Sequence, residues 1–202
     1  MRNLLCICCL FCCLWTNAQT ENLVYDLKVA GNTIGTVTAK KITQGDYVTY
    51  ISDTDAEIKF LVTTQIKTRM KVIFKNGELY ESSYKFFKNN KIKEETSITF
   101  KNGQYTIIHD GKTNTTTEPI YVSSIMLPFY KPKNNEKVFE EVDGYFKSIQ
   151  LITNKSFQLV DPKSSHRDKY IYENGKLDYC LVNNTFVDFE MILQSKILFS
   201  KH

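Results

Sequence analysis

This 202-residue chain is poor in the residues that usually carry chemistry or staple a fold. It has three histidines, His109, His166 and His202, and no two of them stand at a metal-ligating spacing. The eight glycines are scattered singly, so no loop could cradle a phosphate, and no Gly-x-Ser-x-Gly elbow is present. Ser164-Ser165-His166-Arg167-Asp168 contains the letters of a triad, but neighbours along a strand alternate faces and cannot converge. His109 and His166 are expected to be exposed turn residues. Glu140, Glu141 and Asp143 form an acidic cluster, in which adjacent Glu140 and Glu141 on a strand would point to opposite faces. It reads as a solvated edge. Neither a catalytic residue, a metal site nor a cofactor is expected, and the protein is read as a non-enzyme.

Cysteine scarcity needs a second count. Five of the six, Cys6, Cys8, Cys9, Cys12 and Cys13, fall in the first eighteen residues. There Arg2, the apolar run Leu4 to Trp15 and the small-residue ending Thr16-Asn17-Ala18 make a secretory signal peptide, cleaved near Ala18. The rival reading, an uncleaved anchor, would need roughly twenty apolar residues. Cleavage leaves one domain over residues 19–202, exported to the periplasm or the exterior. Its only thiol is Cys180, so its core must hold it together. Cys180 itself reads as a small buried strand residue.

Charge of one sign is also lacking. The formal net charge is +4, with basic and acidic residues interspersed. Lys67, Arg69 and Lys71 alternate with Ile66, Met70 and Val72, as on the solvent face of a half-buried strand. No basic stripe for nucleic acid follows from this.

What the chain does have is turns and alternation. Phe-Lys-Asn-Gly occurs at 74–77 and 100–103, with Tyr-Glu-Asn-Gly at 172–175. Asn-Gly between alternating apolar residues is a hairpin signal, because the tight hairpin turns require positive φ. Register can be chosen by matching faces. At Asn76-Gly77 a three-residue loop with Gly77 as the bulge residue pairs Val72 with Tyr80, Thr68 with Tyr84, Ile66 with Phe86 and Lys71 with Glu81. At Asn102-Gly103 a two-residue loop pairs Phe100 with Tyr105 and Ile98 with Ile107. At Asn174-Gly175 it pairs Tyr172 with Leu177 and Glu173 with Lys176. Identical tetrapeptides are thus predicted to make different turns.

Strands follow one another from about residue 22 to 118, with one ambiguous stretch. Asp53-Thr54-Asp55 looks like a break, and Ile58 to Val62 reads equally as a helical turn or a strand. After Glu118, Pro119, Pro128 and Pro132 bracket an apolar stretch, Ile120 to Tyr130, in which Ser123 and Ser124 could cap one or two helical turns. Strands then resume over 137–142, 145–153, 156–160, 166–173, 176–182 and 186–193. The fold class is all-β: a curved antiparallel meander, a half-barrel or open barrel, with one short helical cap around residues 120–130.

Tyr25 to Val29, Ile34-Gly35, the Phe-Lys-Asn-Gly hairpins, Glu118-Pro119-Ile120 with Ser123-Ser124-Ile125, Val138 to Glu141 and Tyr172 to Gly175 together resemble an uncharacterised domain family of secreted proteins from Gram-negative bacteria. More distantly the set is similar to periplasmic half-barrels of the lipoprotein-carrier type. The resemblance implies fold and compartment and carries over no catalytic residue.

The apolar stretch is either a plug completing the core or a lid over an apolar pocket. If it is a lid, the concave-face residues Met70, Val72, Tyr80, Tyr84, Ile98, Ile125, Met126, Leu127 and Phe129 would meet a lipid-like ligand. A non-enzymatic binding protein for such a ligand is the leading expectation. An envelope scaffold that docks a partner protein through its sheet edge or aromatic surface is the other. No nucleic-acid partner and no membrane span is expected, and oligomeric state is left open.

Overall fold

The computed structural model describes residues 18–59, 62–164, 166–183 and 187–194. Residues 1–17 of the expected leader, Phe60-Leu61 of the ambiguous stretch, Ser165, and Phe186 at the start of the last expected strand lie outside them.

Among the described residues, fourteen strands form one antiparallel sheet. In chain order they are β1 (Gln19–Val29), β2 (Asn32–Gln44), β3 (Tyr47–Lys59), β4 (Thr63–Lys75), β5 (Glu78–Lys88), β6 (Lys91–Lys101) and β7 (Gln104–His109). β8 (Lys112–Thr116), β9 (Lys137–Glu140), β10 (Tyr145–Leu151), β11 (Ser156–Val160), β12 (Arg167–Glu173), β13 (Lys176–Val182) and β14 (Phe189–Leu193) complete the set. Their order across the sheet is β8-β7-β6-β5-β4-β3-β2-β1-β14-β13-β12-β11-β10-β9. Two meanders are therefore welded where the first strand meets the last, with Tyr25 opposite Leu193 and Leu27 opposite Met191. β8 and β9 are the two free edges, and the chain between them, residues 117–136, is not a strand.

The sheet curls until its ends approach without pairing. Thr96 Oγ1 on β6 donates to the Val142 carbonyl in the β9–β10 turn at 2.8 Å, although β6 and β9 lie near opposite edges. Thr96 has one hydroxyl proton, so His109 Nδ1, 2.8 Å away, must donate its N–H to the same oxygen. His109 is half-buried at this seam, which corrects its expected role as an exposed turn residue.

β3 runs through the expected break at Asp53-Thr54-Asp55. Asp53 and Asp55 face Arg69 and Lys67 on β4. Arg69 lies 3.4 Å from Asp53 and 2.9 Å from Asp55, and Lys67 lies 3.7 Å from Asp55. Cross-strand opposite charges offset the low strand propensity of Asp. Lys67 and Arg69 thus find acidic partners on the neighbouring strand, while Lys71 stands opposite Ile51.

All three Asn-Gly turns are the same. Asn76/Gly77, Asn102/Gly103 and Asn174/Gly175 have φ of 52/80°, 54/75° and 51/78°, two left-handed residues in each, as the tight primed turn requires. The pairings expected at the second and third turns are present. The three-residue loop expected at the first is not: Lys75 pairs with Glu78 and Phe74 with Leu79, and a bulge one pair further in then sets Val72 opposite Ser82, Met70 opposite Tyr84 and Thr68 opposite Phe86. None of the four pairs expected there forms: Ile66, Thr68, Lys71 and Val72 meet Lys88, Phe86, Ser83 and Ser82, each two residues further along β5 than expected. A bulge shifts register as a longer loop does while leaving the turn tight. The third hairpin has a bulge at the same place, between Ile171 and Tyr172.

Inward side chains of both meanders form one core, from Tyr25, Tyr50 and Val72 to Phe157, Tyr172 and Cys180. Cys180 is only 2% exposed, and burial, reinforced by Asp168, raises its thiol well above the usual cysteine range. The native protein is expected to resist maleimide at neutral pH and to label stoichiometrically in denaturant. Rapid native labelling, followed by mass spectrometry, would contradict this burial.

Candidate functional site: a plugged interior and its carboxylate clasp

The segment between the two edge strands turns inward. Ile120, Ile125, Leu127 and Phe129 are buried, and all four belong to the core cluster. Its one helical element is a 3-10 turn at Ser124–Met126, and this is the only helix among the described residues. Ser123 precedes the turn but makes no side-chain cap bond, so the expected one or two capped helical turns are not formed. Prolines at 119, 128 and 132 leave little room for a longer helix.

Backbone bonds clamp this plug at both ends. The Leu79 amide donates to the Ile120 carbonyl (2.9 Å) and the Leu177 amide to the Pro128 carbonyl (3.2 Å). Leu79 and Leu177 are both the second residue after an Asn-Gly turn. Each lies beyond the last pair its strand makes with the next one, Glu81 with Thr99 and Tyr179 with Ile192. These inward amides have no strand to bond, and buried amides need acceptors. The plug supplies them. Tyr172 Oη donates to the Leu127 carbonyl (3.1 Å), and the Phe139 amide on the β9 edge donates to the Val122 carbonyl (2.9 Å). The turn motifs legible in the sequence thereby set the anchor points of the plug.

Of the expected concave-face residues, Val72, Ile98, Ile125, Leu127 and Phe129 come together in the core, with Met70 and Met126 packed against it and Tyr84 buried. Phe129 stands 5.9 Å from the Tyr50 ring. Tyr80 does not join them. It sits in the bulge opposite Ile73 and Phe74, is 42% exposed, and stacks with the Lys75 ammonium at 5.7 Å. Its expected place on the concave face is corrected by the same bulge that corrected the register.

The plug is also held by a carboxylate pair. Glu140 ends β9, and a turn begins at Glu141, so strand alternation stops between them. Both carboxylates reach Ser124 Oγ, Glu140 Oε1 at 2.9 Å and Glu141 Oε2 at 2.6 Å. Glu141 is fully buried, and the expected solvated edge is therefore wrong. Lys147 lies 3.6 Å from Glu140, 3.0 Å from Asp143 and 4.0 Å from Asp161. Burial pushes Glu140 up to about 7, against the pull of Lys147. Burial also raises Glu141, outweighing the Ser123 and Ser124 hydroxyls and the nearby Glu141 and Ile125 amides. Nothing in residue spacing announced this pair; the turn that begins at Glu141, helped by Gly144, was its one local signal. Among the described residues no cluster of three or more His, Cys, Asp or Glu is placed to hold a metal ion, and no helix is long and apolar enough to cross a membrane.

An unclosed, all-β, barrel-like sheet with its connecting segment folded inside defines the class of protein. The chain belongs to the family "Domain of unknown function (DUF6134)", whose model matches residues 25–194. Among solved structures it is similar to a β-barrel-like protein of domain of unknown function DUF1849 from Brucella abortus, at 10% identity and a TM-score of 0.56, covering 86% of this chain and 95% of that one. That likeness is one of fold. Comparison with curated proteins finds no match.

Proposed function

We propose that this is a non-enzymatic, exported binding protein for a hydrophobic, lipid-like ligand, with the Ile120–Tyr130 segment as a displaceable cover over the concave face. One observation carries the reading. The apolar interior of an open sheet is occupied at its unpaired seam by an irregular segment, held by a handful of backbone bonds. An irregular strap can leave without breaking a strand ladder, so the apolar face of Val72, Ile98 and Tyr50 could exchange one apolar cover for another.

The experiment is native mass spectrometry of the protein taken from its own envelope without detergent, then delipidation and titration with a fluorescent fatty acid. A bound mass in the lipid range, and saturable probe uptake after its removal, are expected. A ligand-free protein that takes up no probe would refute the proposal. Co-purification of an envelope protein would favour the scaffold reading, for which the specific observation is β8. Its residues 112–115 are exposed, and its outer edge pairs with no strand among the described residues.

A further inference from the structure

One hydroxyl facing two carboxylates has a proton-counting consequence. Ser124 Oγ carries a single hydrogen, so it can donate to Glu140 Oε1 or to Glu141 Oε2, not to both. The second short contact is a hydrogen bond only if that carboxyl is protonated and donates to Oγ. With both ionised, an acceptor would face an acceptor at 2.6–2.9 Å in a buried site. The cation nearby identifies the partner that stays charged. Lys147 approaches Glu140 Oε2, whereas no lysine, arginine or histidine among the described residues forms an ion pair with Glu141. Glu141 Oε1 and the fully buried Ser123 hydroxyl complete no hydrogen bond of good geometry, so Ser123 and the Glu141 and Ile125 amides pull on the carboxyl without outweighing its burial.

We infer that Glu141, Ser124 and Glu140 form a proton-dependent clasp, in which the neutral Glu141 donates to Ser124, Ser124 donates to the Glu140 carboxylate, and loss of the shared proton loosens the plug from the seam. Glu140 and Glu141 titrate as one pair. Lys147 from β10, Asp143 from the turn, Tyr84 from β5 and Tyr170 from β12 act on Glu140. Around these, Tyr145, Asp161 and Asp168 act on Lys147, and Glu94, itself beside His109, acts on Asp143. Of these Lys147 favours the ionised pair, while Asp143 opposes it.

The sign follows from linkage. Burial raises both carboxyls of the pair, so the proton they share stabilises the folded clasp at acid pH, and that stabilisation is lost as pH climbs out of the ordinary carboxylate range through the raised titration of the pair, about 7 for Glu140. Alkali, not acid, is the releasing condition. The inference rests on the proposed cover role only for its use in ligand exchange; the clasp itself is testable without ligand.

Hydrogen exchange of the full chain, read by mass spectrometry on peptides spanning residues 118–136 and corrected for intrinsic chemistry, should be compared at about pH 5.5 and about pH 8.5. The plug is expected to open at least about tenfold more often at the higher pH, while β3 and β4 change little. Glu141→Gln supplies a permanent donor to Ser124 and should bring the ratio close to one. A wild-type ratio near one, or a full wild-type ratio surviving in Glu141→Gln, overturns the clasp. Should that variant fail to fold, infrared spectroscopy of the wild type decides. A protonated buried carboxyl must be present at about pH 6 and vanish above neutrality, and its absence overturns the inference equally. A clasp refuted in this way leaves lipid uptake untouched, and a protein that binds no lipid can still show the pH ratio.

Discussion

Truncating Leu127 to Ala should lower the unfolding free energy by about 2–5 kcal/mol, the range for deleting a fully buried leucine side chain. Leu127 is 1% exposed and lies at the middle of the plug, with its carbonyl bound by Tyr172 and Ile125 and Phe129 on either side. The residual cavity would lie against the concave face, where a lipid-like ligand is proposed to bind. Loss of stability should therefore come with greater uptake of an apolar fluorescent probe by the folded protein. Urea unfolding with an unchanged m-value, alongside probe titration below the transition, measures both. A loss under about 1 kcal/mol would mean that the plug is not part of the cooperative core. A large loss with no gain in probe binding would mean that it is core and nothing else.

Gly144 to Ala should be comparably damaging for a different reason. Gly144 has φ +70°, and a Cβ there would stand 2.8 Å from Ile107 Cγ2 across the seam. Ile107 is buried and β-branched, so it cannot swing aside. Left-handed strain of about 1–2 kcal/mol adds to an overpacking term of about 1–3 kcal/mol. Gly31 to Ala is the control: Gly31 shares the positive φ, at +79°, and a Cβ added there would meet nothing within 4 Å. The difference between the two variants isolates the contact that holds the β9–β10 turn against β7. Equal losses in thermal or urea unfolding would show that the seam contact contributes nothing.

Local turns and alternation were readable because their causes are local. Asn102-Gly103 and Asn174-Gly175 make the tight turns expected of them, and Asn76-Gly77 makes the same turn in place of the longer loop expected there, since small or polar residues best tolerate two successive left-handed conformations. The burial of Val72, Ile98, Leu127 and Phe129 followed from pattern alone. The bulge beside Leu79 was not readable, because it is chosen by which strand faces meet and not by the tetrapeptide. Tyr80 was misplaced for that reason. Glu140 and Glu141 were misread because alternation was carried past the last residue of β9, where the backbone turns and two neighbours can converge on Ser124.

By itself, then, the amino-acid order determined that the chain would form antiparallel hairpins around an apolar face, with a proline-bounded segment outside the strand pattern. Those features depend on φ preference and period-two alternation, which act within a few residues. Only the tertiary structure decided that the first and last strands weld two meanders into one sheet and that the seam stays open. It also decided that the proline-bounded segment fills the interior and brings a serine hydroxyl against two buried carboxyls. These outcomes depend on residues up to about 170 positions apart, such as Tyr25 opposite Leu193, and on which amides the strand ends leave unpaired. Pairings at that range are settled by the burial of the whole core, a quantity no local window contains.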